Sequence, residues 1–486
     1  MSMIISAWGA SSRNPKRRQE GGPHRQEKVV AWRNRLVAFA GALVLLTQAP
    51  QALARKAVTA TVNTSKVHQE IAGFGGSEAY FQAYLAHHPF KHEIYDALFG
   101  PENGLNIDFL RLQNSFRYQS SANFDPDTVD IVRNANSLRG NPITILMSSW
   151  SPPAKLKSNG SEKNGGTLIA KDGRYDYAGF AQYWEIAVLA YRAIGIDPTY
   201  VSIQNEPDMT TDYESCRFNP TEAPFNGDSF AGYDKAVDAV YAAFQKIPSP
   251  PHLLGPETTG IGYGTVQSFI RAQNPNHIYA IAHHLYTGGN KSEPDSYLPA
   301  LQAVKNENPV RLRFQTEYYT ADGLITAEMI HNSLVTEDVS LYLYWPLTWP
   351  GESGTLINIE NPADQSKWKT PKGWSYTDGY YALKQFSYFI HAGYRRVDVD
   401  SSNDEVKISA YLSPNRDKLV VVALNPSPKA SNAVKLNLQE FAHGQSRVYR
   451  TTFPNTLERF VLLGQLGADN VIALPPQSVV TVEITR

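Results

Sequence analysis

Two glutamates carry the clearest chemical signal in this 486-residue sequence. Glu206 lies in Val201-Ser-Ile-Gln-Asn-Glu-Pro-Asp208 and Glu317 in Arg313-Phe-Gln-Thr-Glu-Tyr-Tyr319. Each follows a short apolar run, so each carboxyl is expected where a strand leaves its sheet and meets a cleft. Such a pair suits glycoside hydrolysis, in which one carboxyl protonates the leaving oxygen and the other attacks the anomeric carbon. A lone strand-end glutamate is more often a solvated loop residue or an ion-pair partner. The company these two keep argues for chemistry.

Asn205 directly precedes Glu206, and its amide can donate to a sugar 2-hydroxyl, a contact that strengthens in the transition state. Arg111 sits inside an apolar strand, where an unpaired charge is costly, and could hold the Glu317 carboxylate ionised; a structural salt bridge is the alternative. His284 and Tyr286 end another strand, and Tyr286 could hydrogen-bond the attacking carboxylate. A core histidine beside a packing tyrosine is the plainer reading. Trp150, in Ser148-Ser-Trp-Ser-Pro-Pro153, and Trp345, in Leu343-Tyr-Trp-Pro346, could stack on a pyranose face or simply pack at a rim. No metal site and no cofactor are expected. His283 and His284 are adjacent and point to opposite faces of a strand, and there is no H-x-x-x-H or cysteine cluster. Gly73-Phe-Gly-Gly76 lacks the spacing of a nucleotide loop.

These residues need strands to carry them. Eight apolar runs alternate with helix-like stretches: 71–77, 107–113, 143–149, 200–204, 252–255, 278–284, 310–316 and 339–345. Between them, segments such as 180–194 and 233–247 repeat apolar residues at three- and four-residue steps. The alternation predicts parallel strands covered by helices, an α/β fold of the (β/α)8 TIM-barrel type, with its site at the C-terminal strand ends. Glu206 then follows strand four and Glu317 strand seven.

After a last barrel helix near 380–389, short alternating runs at 406–412, 418–424, 433–438, 448–453 and 478–484 are punctuated by Pro- and Asn-rich turns, which predicts a β-sandwich. A strand-like stretch before the barrel is expected to join it. The expected division is a signal peptide at 1–54, an N-terminal strand of the sandwich at 55–70, the barrel at 71–390 and the C-terminal sandwich at 391–486. The two parts are expected to pack as one rigid body.

The leader has Arg33 and Arg35 before the apolar run 36–46, and Ala52-Leu53-Ala54 supplies small residues for cleavage. The run is too short to span a bilayer comfortably, so the expectation is a secreted or periplasmic protein with no membrane span after cleavage. Residues 1–54 hold 8 Lys/Arg and 2 Asp/Glu, and their loss turns a net charge of −1 into −7. A mildly acidic chain is a poor match for nucleic acid. Cys216 is the only cysteine and excludes an intrachain disulfide. With 27 Tyr, 20 Phe and 8 Trp, the chain has rings enough to line a sugar cleft. The expected partner is a polysaccharide or oligosaccharide, and the expected state a monomer.

Taken together, Gly73-Phe-Gly-Gly76, Trp150-Ser-Pro-Pro153, Ser202-Ile-Gln-Asn-Glu-Pro-Asp208, His284-Leu-Tyr286, Gln315-Thr-Glu317 and Tyr381-Ala-Leu-Lys-Gln-Phe386 resemble glycoside hydrolase family 30. The resemblance runs in order from about residue 58 to the C-terminus. It implies a barrel with a side β-sandwich and a retaining mechanism, with Glu206 as acid/base and Glu317 as nucleophile. Asn205, Arg111, Trp150, His284, Tyr286 and Trp345 become binding or supporting residues. Where the glucosylceramidase branch carries a hydroxyl-binding aspartate, this chain has Tyr80, which argues for an open cleft that accepts a polymer. Where the glucuronoxylanase branch carries a uronate-binding arginine after strand eight, this chain reads Trp345-Pro-Leu-Thr-Trp-Pro350. Ser77-Glu-Ala-Tyr80 resembles endo-acting branches on xylan and on β-1,6-linked glycans. An endo-β-glycanase acting on xylan is the first expectation. A β-1,6-glucanase, a glucosylceramidase-like enzyme and a non-catalytic glycan-binding protein are the alternatives.

Overall fold

The eight apolar runs form parallel strands because each is buried on both faces, against its barrel interior on one side and helices on the other. They are β1 (Gly73–Ser77), β2 (Phe109–Gln113), β3 (Thr144–Ser148), β4 (Tyr200–Ser202), β5 (His252–Thr258), β6 (Ala280–His284), β7 (Leu312–Glu317) and β8 (Leu341–Tyr344). In this computed structural model, which describes residues 58–119, 124–225, 229–351, 354–454 and 458–486, they close into one barrel. Leu341 of β8 pairs with Gly73 of β1. The expected leader, residues 1–54, lies outside the described residues.

The barrel floor is a dry plug of Phe109, Leu146, Leu254, Ala280, Ala282, Phe314, Leu341 and Leu343. Polar side chains therefore have room only in the layers above it. The glycines of β1 answer to packing: a Cβ on Gly75 would collide with the Phe109 carbonyl oxygen, and one on Gly76 would meet the Leu347 side chain. Outer helices begin where short acceptors cap them. Asp125 accepts from the Thr128 amide at the start of Pro126–Arg139, and Asp322 accepts from the amides of Leu324 and Ile325 at the start of Gly323–Asn332.

Nine strands make the second sheet. Its order is Val461–Gly464, Ser446–Thr452, Ser478–Thr485, Lys418–Asn425, Lys407–Leu412, Arg395–Ser401, Val58–Glu70, Asn432–Gln439 and Val471–Leu474. The N-terminal strand Val58–Glu70 is thus internal, antiparallel to Arg395–Ser401 and parallel to Asn432–Gln439. Strand Lys418–Asn425 shows why the sheet stays on the barrel. Leu419, Val421 and Ala423 face the sheet's own core, while Val420, Val422 and Leu424 belong to the barrel's core. The last barrel helix, Asp378–Ser387, adds polar ties: Gln385 donates to Thr451 Oγ1, and Thr481 donates to the Gln385 carbonyl, each at 2.8 Å.

Three sheet strands were not expected from sequence: Arg395–Ser401, Val461–Gly464 and Val471–Leu474. In the first, charges mask the strand pattern, and one of them, Arg396, is satisfied by Asp338 at 2.7 Å and by Gln69 at 3.0 Å. Among the described residues no helix is long and apolar enough to cross a membrane.

Candidate active site

Strand periodicity lifts Arg111 into the site. Phe109 points into the plug, so Arg111, two residues on, faces the same interior one layer higher. It is fully buried and its donors are divided. Nη1 lies 2.6 Å from Oε2 of Glu317, Nη2 lies 2.7 Å from Oδ1 of Asn205, and Nε lies 3.1 Å from Ser148 Oγ. Nε also stands 3.2 Å from Oε1 of Glu257, and the guanidinium carbon lies 4.6 Å from the Trp150 ring centre.

Glu317 reaches the interior because β7 carries an extra residue. Gln315 pairs with His283, yet Glu317 pairs with the very next residue, His284. That bulge sets Glu317 on the face of His284 instead of the opposite one. A second bulge in β5, between Pro256 and Thr258, does the same for Glu257. Glu206 lies four residues beyond β4 with φ 46°, its amide donating to the Glu257 carbonyl at 3.0 Å.

His284 stands between the two expected catalytic carboxyls. Its Nδ1 is 3.1 Å from Oε1 of Glu206 and its Nε2 is 3.8 Å from Oε2 of Glu317. One oxygen of each carboxyl and one nitrogen of His284 all lie within 4.8 Å of one another. That separation suits two carboxyls facing one sugar ring from either side of its anomeric centre. Tyr286 donates its hydroxyl to Oε1 of Glu317 at 2.9 Å. Because Arg111 takes the oxygen of the Asn205 amide, the nitrogen end remains as its donor to a ligand.

The aromatic wall is built on Tyr80. Its ring meets those of Trp150, Trp345 and Trp349 edge-on at 5.8, 6.2 and 6.3 Å, and Trp150 and Trp345 lie 5.7 Å apart. Edge-to-face packing of this kind adds to area burial.

Electrostatically the two glutamates are not equivalent. Glu206 is pushed up to about 8, first by burial and then by the charge of Asp208, with Arg111 opposing. Burial also raises Glu317, but His284, Arg111 and the Tyr286 hydrogen bond all oppose the rise. Burial and the charge of Asp208, rather than that of Glu317, are the main causes of the rise in Glu206. Burial lowers His284, with the charge of Glu317 opposing. In Glu257 burial is outweighed by Arg111 and His284, and the carboxyl sits below its ordinary value.

All the residues singled out from sequence, namely Glu206, Glu317, Asn205, Arg111, Trp150, His284, Tyr286, Trp345 and Tyr80, come together at this mouth. Sequence reasoning missed Glu257, Asp208, Trp349, Tyr213 and Glu214. Asp208 accepts from the amide and hydroxyl of Thr259 at 3.0 and 3.2 Å, and Tyr213 and Glu214 lie beside Tyr80. Glu257 had a visible signal, since it ends the apolar run from His252 as Glu206 and Glu317 end theirs. Glu206, His284 and Glu317 have the spacing of a possible metal-ligand set, and the guanidinium 2.6 Å from Glu317 places positive charge where a cation would compete.

A parallel eight-stranded barrel with two close carboxyls at its C-terminal mouth, walled by aromatic rings, has the architecture of an O-glycoside hydrolase. No family model matches the chain. Glucuronoxylanase XynC of Bacillus subtilis strain 168 is 26% identical over 447 residues, covering 88% of this chain and 92% of that protein. The catalytic domain of GH30 xylanase C from Talaromyces cellulolyticus superposes with a TM-score of 0.69 at 21% identity, covering 88% of this chain and 100% of that one. A conserved exported protein from Bacteroides fragilis gives a TM-score of 0.73 at 17% identity, covering 87% and 100%. The chain is a glycoside hydrolase that resembles family 30 in sequence and fold.

Proposed function

We propose that this protein is an exported, retaining endo-β-glycanase that cleaves xylan-type polysaccharide by double displacement. The observation that carries the reading is the approach of Glu206 and Glu317 to within 4.8 Å, with Arg111 and Tyr286 gripping only Glu317. An oxygen of Glu317 bonds to the anomeric carbon as the glycosidic C–O bond breaks, and the leaving oxygen takes the proton of Glu206. Water then attacks the anomeric carbon, gives its proton to Glu206 and releases the Glu317 carboxylate. The raised Glu206 suits a group that must hold a proton near neutral pH.

Tyr80 supports the endo reading. Its ring packs in the aromatic wall where an exo-enzyme of the resembling family carries a hydroxyl-binding carboxylate. Export is supported by the basic and apolar leader and by the exported protein among the structural neighbours. Incubating residues 55–486 with xylan, debranched xylan, β-1,6-glucan and aryl glycosides tests the assignment. Oligosaccharides from xylan are expected. Monosaccharide released only from chain ends would overturn endo action, and oligosaccharides from β-1,6-glucan alone would move the substrate to that polymer.

A further inference from the structure

Arg111 has two carboxylate partners, and only one of them meets the cleft. Glu317 is 6% exposed, whereas Glu257 is 0% exposed. Glu257 lies against the guanidinium at two points, Nε to Oε1 at 3.2 Å and Nη2 to Oε2 at 3.3 Å. It has no access to substrate, and the double displacement gives it no step.

The reaction described above consumes the charge of the other partner. Once the Glu317 oxygen is bonded to the sugar, Glu317 is a neutral ester, and a buried guanidinium without a counter-ion is strongly disfavoured. We propose that Glu257 is the permanent counter-ion of Arg111, a positioning residue that keeps the guanidinium paired and in place while Glu317 alternates between carboxylate and ester. The inference rests on Glu317 being the nucleophile. The same residue also holds the second glutamate, because the Glu206 amide donates to the Glu257 carbonyl at 3.0 Å. One bulged residue at the end of β5 thereby anchors both sides of the reaction, through its side chain to Arg111, which holds Glu317, and through its backbone to Glu206.

The groups facing Glu257 fit a fixed anion. Arg111 and His284 approach from β2 and β6, the hydroxyls of Ser202 and Thr316 from β4 and β7, and Tyr233 from the helix Tyr233–Phe244. Glu206 is faced by Asp208, Arg111, His284 and Glu257, and Glu317 by His284, Arg111, Glu206 and Tyr286.

Glu257→Gln keeps the shape and removes the charge. The expected result is a loss of roughly 100-fold in the glycosylation step, read as kcat/KM on an aryl glycoside, with deglycosylation slowed by less than about tenfold. Both limbs of the pH profile should move to lower pH, since an anion that disfavoured ionisation is gone and Arg111 is left to Glu317 alone. Glu257→Asp, which keeps the charge, should return the limbs towards the wild type. Unmoved limbs with both steps slowed equally would overturn the proposal and leave Glu257 a packing residue. A second measurement needs no variant. Carboxyl 13C shifts of Glu257 should report an ionised group in the free enzyme and in a trapped 2-fluoroglycosyl enzyme, and protonation in either state at neutral pH would overturn it. Trapping of the sugar on a residue other than Glu317 would instead defeat the catalytic assignment, which separates the two failures.

Discussion

Tyr286 and Arg111 divide the Glu317 carboxylate between them, the tyrosine hydroxyl on Oε1 at 2.9 Å and the guanidinium on Oε2 at 2.6 Å. With both oxygens held, the carboxylate cannot rotate freely, and its orientation towards a bound sugar is set before substrate arrives. Tyr286→Phe removes one hold. A hydrogen bond to a charged group is worth about 1.5–3 kcal/mol, so kcat/KM should fall roughly 10- to 150-fold. The bond lowers the Glu317 pKa, so its loss should also shift the acidic limb of the pH profile upwards. An unmoved limb would mean that the hydroxyl does not act on Glu317.

The two glutamates should be distinguishable by stereochemistry. Glu317→Ala with added azide is expected to give an α-glycosyl azide, because azide enters from the face the carboxylate vacated. Glu206→Ala should give the β-azide by attack on the glycosyl enzyme. The reverse pattern, read by proton NMR of the products, would exchange the roles.

Glu206 and Glu78 should make the fold less stable as the solution becomes alkaline. Both are buried and raised from 4.5 to about 8, burial being the main cause in each. A raised carboxyl stabilises the fold fully below its unfolded pKa, and that contribution is lost as pH rises through the folded value. Folding free energy, and Tm with it, should therefore fall between about pH 5 and pH 8, by on the order of a few kcal/mol for each group. Glu78 accepts from Thr348 at 2.9 Å and does not belong to the catalytic pair. Glu78→Gln mimics the protonated state and should flatten part of the decline, measured by calorimetry across this range.

Removing glucuronate branches from xylan should change the rate by less than about a hundredfold, or roughly 2.7 kcal/mol of transition-state binding. Trp345 to Pro350 contain no arginine. Nearby candidates are occupied: Arg117 is held by Glu162 at 2.9 Å and Lys367 by Asp364 at 2.7 Å, while Lys155 lies over the Tyr118 ring. Rates on branched and debranched xylan decide this, and strict dependence on the branch would mean that another cation lines the subsite.

The eight strands were legible in the chain because burial on both faces requires continuous apolar runs, and the glutamates were legible because each breaks such a run. Strand Arg395–Ser401 was not, since its charges find partners only once Asp338 and Gln69 are brought beside it. Tyr213 and Glu214 were also hidden, because nothing local says that the long segment after β4 folds back beside Tyr80.

What the sequence determined by itself was the alternation of strands and helices, and with it the mouth where Glu206 and Glu317 must emerge. The direction in which the carboxyls point was decided only in the folded barrel. A strict two-residue period from Phe314 would turn Glu317 outwards, away from Arg111. The extra residue in β7, paired against β6, reverses it, and the matching bulge in β5 brings Glu257 in beside it. A bulge is a property of two strands in register, since it exists only where one chain's residue count exceeds its neighbour's. No local pattern in either strand encodes it.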